Sequence, residues 1–254
     1  MDTLDVMHAY NEHERKTIKP VNGKVIETDE VVKFVSDNAE GSYVSFFSVA
    51  EDNAKSVIER EKAFFTERGL TFEWKTYSTD SPHNIGERLL ESGFVQEEAE
   101  SFMALELSTA VERQLDDRQF IEVSDAKGIR DAVSVQDQVW GGNYDWQYTY
   151  LLNVKTQSPD EISIYVVYDD GKPVTSAWIV FNGDSPFAGI WGGSTIPGYR
   201  GRGHYSLLLN KRINEAKARG KQYLIIDASE MSRPIVEKHG FVLISKTTPY
   251  IFQP

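Results

Sequence analysis

Cysteine is absent from the 254 residues. Its absence excludes disulfides, thiolate metal sites and a cysteine nucleophile. Positive charge is scarce: 27 Lys and Arg stand against 39 Asp and Glu, a formal net charge of −12 at pH 7. So acidic a chain lacks the basic surface that binds nucleic-acid phosphates, and no nucleic-acid partner is expected. No apolar run approaches the roughly 20 residues that span a bilayer, so no membrane partner is expected either. The opening Met1-Asp2-Thr3-Leu4-Asp5 has neither the basic nor the apolar region of a signal peptide, which predicts a cytoplasmic location. The five histidines (His8, His13, His83, His204, His239) show no H-x-x-x-H spacing. No metal is expected.

What is present is an ordinary globular composition, 40% hydrophobic and 26% charged. The charge is uneven. Residues 1–110 hold 11 basic and 22 acidic side chains, whereas the remainder is nearly balanced.

The pattern predicts a mixed α/β chain, with helices and a mixed sheet in each half. A helix over residues 2–16 is followed by strands Lys24–Glu27, Val31–Ser36 and Ser42–Val49. An amphipathic helix from Asp52 to Arg68 ends at Gly69, and strand Thr71–Tyr77 follows. Within it, Phe72-Glu73-Trp74 reads as strand core. Helix His83–Ser92, the pair Gly93-Phe94 and strand Ser101–Leu107 complete the first half, and the polar residues 108–118 read as a linker.

In the second half, strand Phe120–Val123 precedes a helix capped by Asp125, and another helix spans Asp145–Lys155. Ile162–Val167 and Pro173–Phe181 form a hairpin across Asp169-Asp170-Gly171. Strand Phe187–Gly192, helix Gly203–Arg219, strand Tyr223–Ala228, helix Ser232–His239 and strand Leu243–Phe252 follow. The halves look alike. Each has a hairpin, a helix ending in Arg-Gly, an apolar strand, a short helix ending in Gly-Phe and a last strand. Two domains in tandem are therefore expected, 1–110 and 119–254.

Thr195-Ile196-Pro197-Gly198-Tyr199-Arg200-Gly201-Arg202-Gly203-His204-Tyr205 stands where the second half passes from strand to helix. Unpaired amides at a helix N-terminus carry about half a positive charge, and two arginines lie in the turn. This is an anion site for a phosphate-bearing ligand. The matching junction of the first half, Ser48-Val49-Ala50-Glu51-Asp52-Asn53, has no glycine, no arginine and two acids. Only the second half is expected to bind such a ligand.

This turn resembles the R/Q-x-x-G-x-G/A pyrophosphate loop of the GNAT N-acetyltransferase superfamily, and Ile235-Val236-Glu237-Lys238-His239-Gly240-Phe241 is similar to its final-helix signature. The resemblance covers Phe120 to the C-terminus. The first half resembles a degenerate copy that lacks the early helices, as in tandem members. The resemblance implies acetyl-CoA as cosubstrate and a small-molecule amine as acceptor, attacked directly in a ternary complex. Arg200, Gly201, Arg202, Gly203, His204 and Tyr205 would hold the CoA diphosphate. Main-chain groups of Ser194, Thr195 and Ile196 would pair with the pantetheine arm, and one of those amides would polarise the thioester. Three positions depart from the pattern: Tyr205 replaces a small residue, Val236 stands where many members carry a proton-donating tyrosine, and Ser229 stands where asparagine is common.

Proton-handling candidates are Asp227, Ser229 and Tyr250, although Asp227 also fits a helix-cap acceptor and Tyr250 a half-buried strand tyrosine. The aromatic segment with Trp140, Tyr144, Asp145 and Trp146 is the candidate acceptor side, where rings and a carboxylate suit a cation; a packed loop is the other reading. Two alternatives to the acetyltransferase stay open: a non-catalytic protein that binds CoA or acyl-CoA, and a tandem transferase with another acyl donor.

Overall fold

Strands rich in β-branched and aromatic residues alternate with amphipathic helices, and the computed structural model, which describes residues 1–19 and 21–254, sorts them into two compact units. The first takes Met1–Met103, Asp227–Glu237 and Val242–Pro254; the second takes Ala104–Ile226 and Lys238–Phe241.

In the first unit, helix α1 (Thr3–Tyr10) starts at Asp2, whose carboxylate accepts from the amides of Leu4 and Asp5. The predicted single helix over 2–16 instead widens into a π turn at Asn11–Arg15. There Arg15 swings inward, 3% exposed, and its guanidinium forks onto the Asp80 carboxylate at 2.7 and 3.0 Å. Strands β1 (Gly23–Glu27), β2 (Val31–Ser36) and β3 (Ser42–Phe47) run antiparallel in turn. Helix α2 (Ala54–Thr66) then crosses over so that β4 (Phe72–Tyr77) lies parallel to β3. Helix α3 (Ile85–Glu91), β5 (Val95–Gln96) and β6 (Glu100–Glu106) follow.

The core beneath α2 and α3 gathers Val44, Phe47, Val57, Ile58, Phe65, Phe72, Trp74 and Phe94, all buried. Burial of side chains this large dominates the stability of such a unit. The predicted strand core at Phe72-Glu73-Trp74 holds for Phe72 and Trp74, which are 1% and 0% exposed, whereas Glu73 points to the other face.

The second unit begins with β7 (Ile121–Val123) and α4 (Ala126–Trp140), whose N-terminus is capped by Asp125 through the Gly128 amide at 2.7 Å. Helix α5 (Asp145–Gln157) leads to β8 (Ile162–Asp169) and β9 (Lys172–Phe181). Asp170 and Gly171, at φ 48° and 76°, make the tight turn between these strands. Strand β10 (Phe187–Thr195), helix α6 (His204–Ala218) and β11 (Tyr223–Ala228) follow, with β10 antiparallel to β9 and parallel to β11. Both units thus contain two successive antiparallel pairings, a crossover helix and a parallel strand, and the second adds β7, antiparallel to β8.

Residues 108–118, read as a linker, bond to α6: Asn214 bonds the backbone of Arg113 and Lys217 bonds the carbonyl of Ala110, both at 2.7 Å. The last strand, expected within 119–254, joins the first unit. After the short helix α7 (Arg233–Glu237), strand β12 (Val242–Phe252) pairs with β4 from Thr247↔Tyr77 to Phe252↔Phe72. Its Tyr250 enters the first core, and Phe252 packs against that core, so the burial of these rings decides where the strand belongs.

Candidate functional site

Strand β10 breaks register with β9 where the sequence offers two glycines. Trp191 faces Trp178 and Ser194 faces Ser176, so three steps along β10 match two along β9. This is a β-bulge, which takes one residue out of the ladder and bends the strand. Gly192 sits in it at φ +61°, and a Cβ there would lie 1.9 Å from the Trp178 ring. Only glycine suits both constraints.

A polar network fixes the bulge from α4. The Gln136 amide donates to the Gly192 carbonyl and to Ser176 Oγ, each at 2.8 Å, and Ser194 Oγ donates to Gln136 Oε1 at 2.9 Å. Trp140 Nε1 donates to the same Ser194 hydroxyl at 3.1 Å. Neither Gln136 nor its network was singled out in the sequence. A lone polar residue inside the apolar stripe of a helix was the available signal.

Beyond the bulge the strand edge opens. β10 pairs with β11 over Phe187–Gly189, so among the described residues the later part of that edge carries no strand partner. The amide of Ile196 donates to the Val174 carbonyl at 3.0 Å, and its own carbonyl accepts from Tyr199. The N–H of Ile196, a residue expected to pair with a pantetheine arm, is thus used in the β9 ladder. Alternation turns the main chain of Thr195 to the open edge, where its carbonyl accepts from Arg200 Nε at 3.1 Å.

The anion turn is built as its residues suggest. Gly201 and Gly203 take φ +77° and +86°, and nothing lies within 4 Å of a Cβ at either position. No side chain caps α6 at Gly203. The N-terminal amides and the positive end of the helix dipole therefore face an exposed turn. Arg202 reaches Asp169 at 3.3 Å and lies over the Tyr199 ring, while His204 is half-buried at the first helical position. Tyr205 turns its ring onto the bulge: a Cβ on Gly193 would stand 2.9 Å from Tyr205 Cε2. Two turns along the helix, Arg212 is 1% exposed and reaches the carbonyls of Trp178 and Trp191 at 3.5 and 3.4 Å. Burial lowers its pKa to about 10, still charged at neutral pH.

Of the acceptor-side group, Trp140 and Trp146 are 53% and 61% exposed, and the Tyr144 and Trp146 rings are 6.3 Å apart. The Asp145 carboxylate already has partners. It accepts from Asn143 at 2.9 Å and from Arg130 at 2.6 Å, and these bonds hold its pKa below the usual aspartate value.

The three proton-handling candidates lie in the first unit, and no hydrogen bond joins them among the described residues. Asp227 Oδ2 accepts from Lys75 Nζ at 2.6 Å, and its side chain is 5% exposed. Ser229 serves its own turn, accepting from the Ser232 amide at 3.3 Å. Tyr250 is 7% exposed with its hydroxyl against α3, where a Cβ on Gly86 would meet it at 2.2 Å, and burial raises its pKa. Val236 is fully buried. Lys75 escaped sequence reasoning, yet it alternates with Phe72 and Trp74 as a charged residue in an apolar strand.

Comparison with known proteins agrees with this geometry. Residues 130–241 match the acetyltransferase (GNAT) family. No curated protein matches the chain. Among solved structures, a GCN5-related N-acetyltransferase from Kribbella flavida superposes with a TM-score of 0.71 at 12% identity, over 99% of this chain and 95% of that one. A putative GNAT-family acetyltransferase from Novosphingobium aromaticivorans gives 0.58 at 16% identity, over 99% and 98%. A tandem GNAT protein from the clavulanic acid biosynthesis pathway gives 0.62 at 10% identity, over 97% and 86%. The chain shares the fold of these solved structures, and its residues 130–241 match the acetyltransferase (GNAT) family.

Proposed function

We propose that this protein is an acetyl-CoA-dependent N-acetyltransferase that acetylates the amine of a small molecule by direct attack in a ternary complex. The observation that carries this reading is the second unit's combination of a bulged, open-edged strand with an uncapped helix N-terminus. A diphosphate suits that helix end, because Gly201 and Gly203 put no side chain between the amides and an anion. In this reading Arg200, Arg202 and the amides from Gly201 to Tyr205 hold the diphosphate, and Ser194 and Thr195 align the pantetheine arm.

Acetyl-CoA supplies the thioester. A main-chain N–H released by the bulge stabilises negative charge on its carbonyl oxygen. Of the proton-handling candidates, Asp227 has a buried Oδ1 that accepts no hydrogen bond among the described residues. Ser229 serves its own turn and Tyr250 packs in the first core. The shared strand order of the two units supports a tandem pair, in which only the second unit keeps the anion turn. Val236, buried where the family signature often has tyrosine, favours a second reading, acyl-CoA binding without turnover.

Release of free CoA thiol from acetyl-CoA, measured across a panel of small amines, separates the two. Amine-dependent release supports the transferase. Tight acetyl-CoA binding with no release from any amine supports the second reading and overturns the first.

A further inference from the structure

One face of the first unit's sheet carries negative charge that its own ion pairs leave unbalanced. Alternation along β4 sends Phe72 and Trp74 into the core and sets Glu73, Lys75 and Tyr77 on the opposite face. β12 places Thr247 opposite Tyr77 on that face. β6 adds Phe102, whose ring centre is 5.5 Å from that of Tyr77, and by alternation Glu100. Tyr10 of α1 covers the group, its hydroxyl 3.3 Å from that of Tyr77.

Asp227 projects into this cluster and pairs with Lys75 through Oδ2 alone. Its Oδ1 is buried and accepts no hydrogen bond among the described residues, and Thr247 Oγ1 on the same face is also buried without a partner. A buried carboxylate oxygen left in this way is costly unless a donor reaches it.

Three carboxylates, Glu73, Glu100 and Asp227, thus share one ammonium. Burial raises the pKa of Glu73 and of Glu100, the latter to about 6, and the charge of Asp227 adds to both shifts. Burial alone would lower the pKa of Lys75, but Asp227 and Glu73 outweigh it and hold the ammonium above the usual lysine range. The neighbouring cations are engaged elsewhere. Arg15 stacks over Tyr77 but is forked onto Asp80. Lys246 and Arg233 reach Ser101 on the other face of β6 and pair with Glu230 and Glu237. Among the described residues no grouping of three His, Asp or Glu has a metal-holding arrangement. An ammonium, with three donors, suits the buried, unsatisfied oxygens of Asp227 and Thr247.

We propose that this cluster binds a diamine, one ammonium meeting Asp227 Oδ1 and the second lying between Glu73 and Glu100. A dication matches two excess negative charges. The inference rests on the reading of the protein as an amine acetyltransferase and names the class of amine.

Calorimetric titration of the full chain with 1,4-diaminobutane, 1-aminobutane and Mg2+, without acyl-CoA, tests it. The diamine should bind at least about tenfold more tightly than the monoamine, because the second charge-assisted contact is lost with one ammonium. Glu73→Gln and Glu100→Gln should each weaken the diamine about tenfold while leaving affinity for acetyl-CoA unchanged. Equal affinity for the two amines, diamine binding unmoved by both variants, or displacement of the diamine by equimolar Mg2+ would each overturn the proposal. Should acetyl-CoA not bind while the diamine behaves as expected, the cation site stands and the acetyl-transfer reading falls.

Discussion

The side-chain amide of Gln136 donates to the carbonyl of Gly192 over 2.8 Å, tying α4 to the residue at which β10 slips register. Its carbonyl oxygen accepts from Ser194 and its amide also reaches Ser176, so one side chain satisfies three buried polar groups. Gln136→Leu keeps the volume and removes every one of these bonds. The variant should lose about 1–3 kcal/mol of stability, since buried partners are left unmet. Acetyl-CoA affinity should fall with it. Urea denaturation with parallel ligand titration checks both; a variant as stable and as tight-binding as the wild type would remove Gln136 from the support of the bulge.

Gly192→Ala tests the bulge from the other side. A methyl group there meets the buried Trp178 ring, and the backbone is in the left-handed region. Strain and overpacking together should cost roughly 2–4 kcal/mol. In a chain of this size each kcal/mol lowers the thermal midpoint by about 2–4 °C. Gly198→Ala, where nothing lies within 4 Å of the added carbon, should leave the midpoint nearly unchanged.

Glu100 gives a pH signature. Its carboxyl is raised from the ordinary 4.5 to about 6 in the folded protein, first by burial and then by the Asp227 charge. The folded state therefore binds more protons than the unfolded state between those two values, and stability falls as pH rises through that window. Glu100→Gln removes the charge. It should raise the thermal midpoint at pH 7.5 and leave it unmoved at pH 4.5. A gain of equal size at both pH values would show that the effect is not the charge.

The order of elements was legible because its signals are local. Helix-ending glycines, the Asp-Gly turn at Asp170-Gly171 and the period-two strands need no tertiary information, and the anion turn follows from Arg200, Gly201 and Gly203 alone. The bulge was not legible, because Gly192 reads as the end of a strand until Trp178 and Gln136 are brought to it. The first-unit membership of Val242–Phe252 also escaped, since the choice depends on a non-local register with Phe72–Tyr77. The charged face of β4 was hidden for a similar reason. Glu73 and Lys75 look like solvent-facing alternates of a core strand, and only Asp227, distant in sequence, gives Lys75 its partner.

The turn from Arg200 to Tyr205 is proposed to hold the diphosphate of acetyl-CoA. Calorimetric titration of acetyl-CoA into the wild type and into Arg200→Glu tests it most directly. Arg200 is exposed and, among the described residues, bonds only the Thr195 carbonyl through Nε, so the substitution should leave the thermal midpoint nearly unchanged. Replacing a charge-assisted donor with a like charge should weaken binding at least about tenfold. Equal affinity in the two proteins, or no binding by the wild type, would contradict the account.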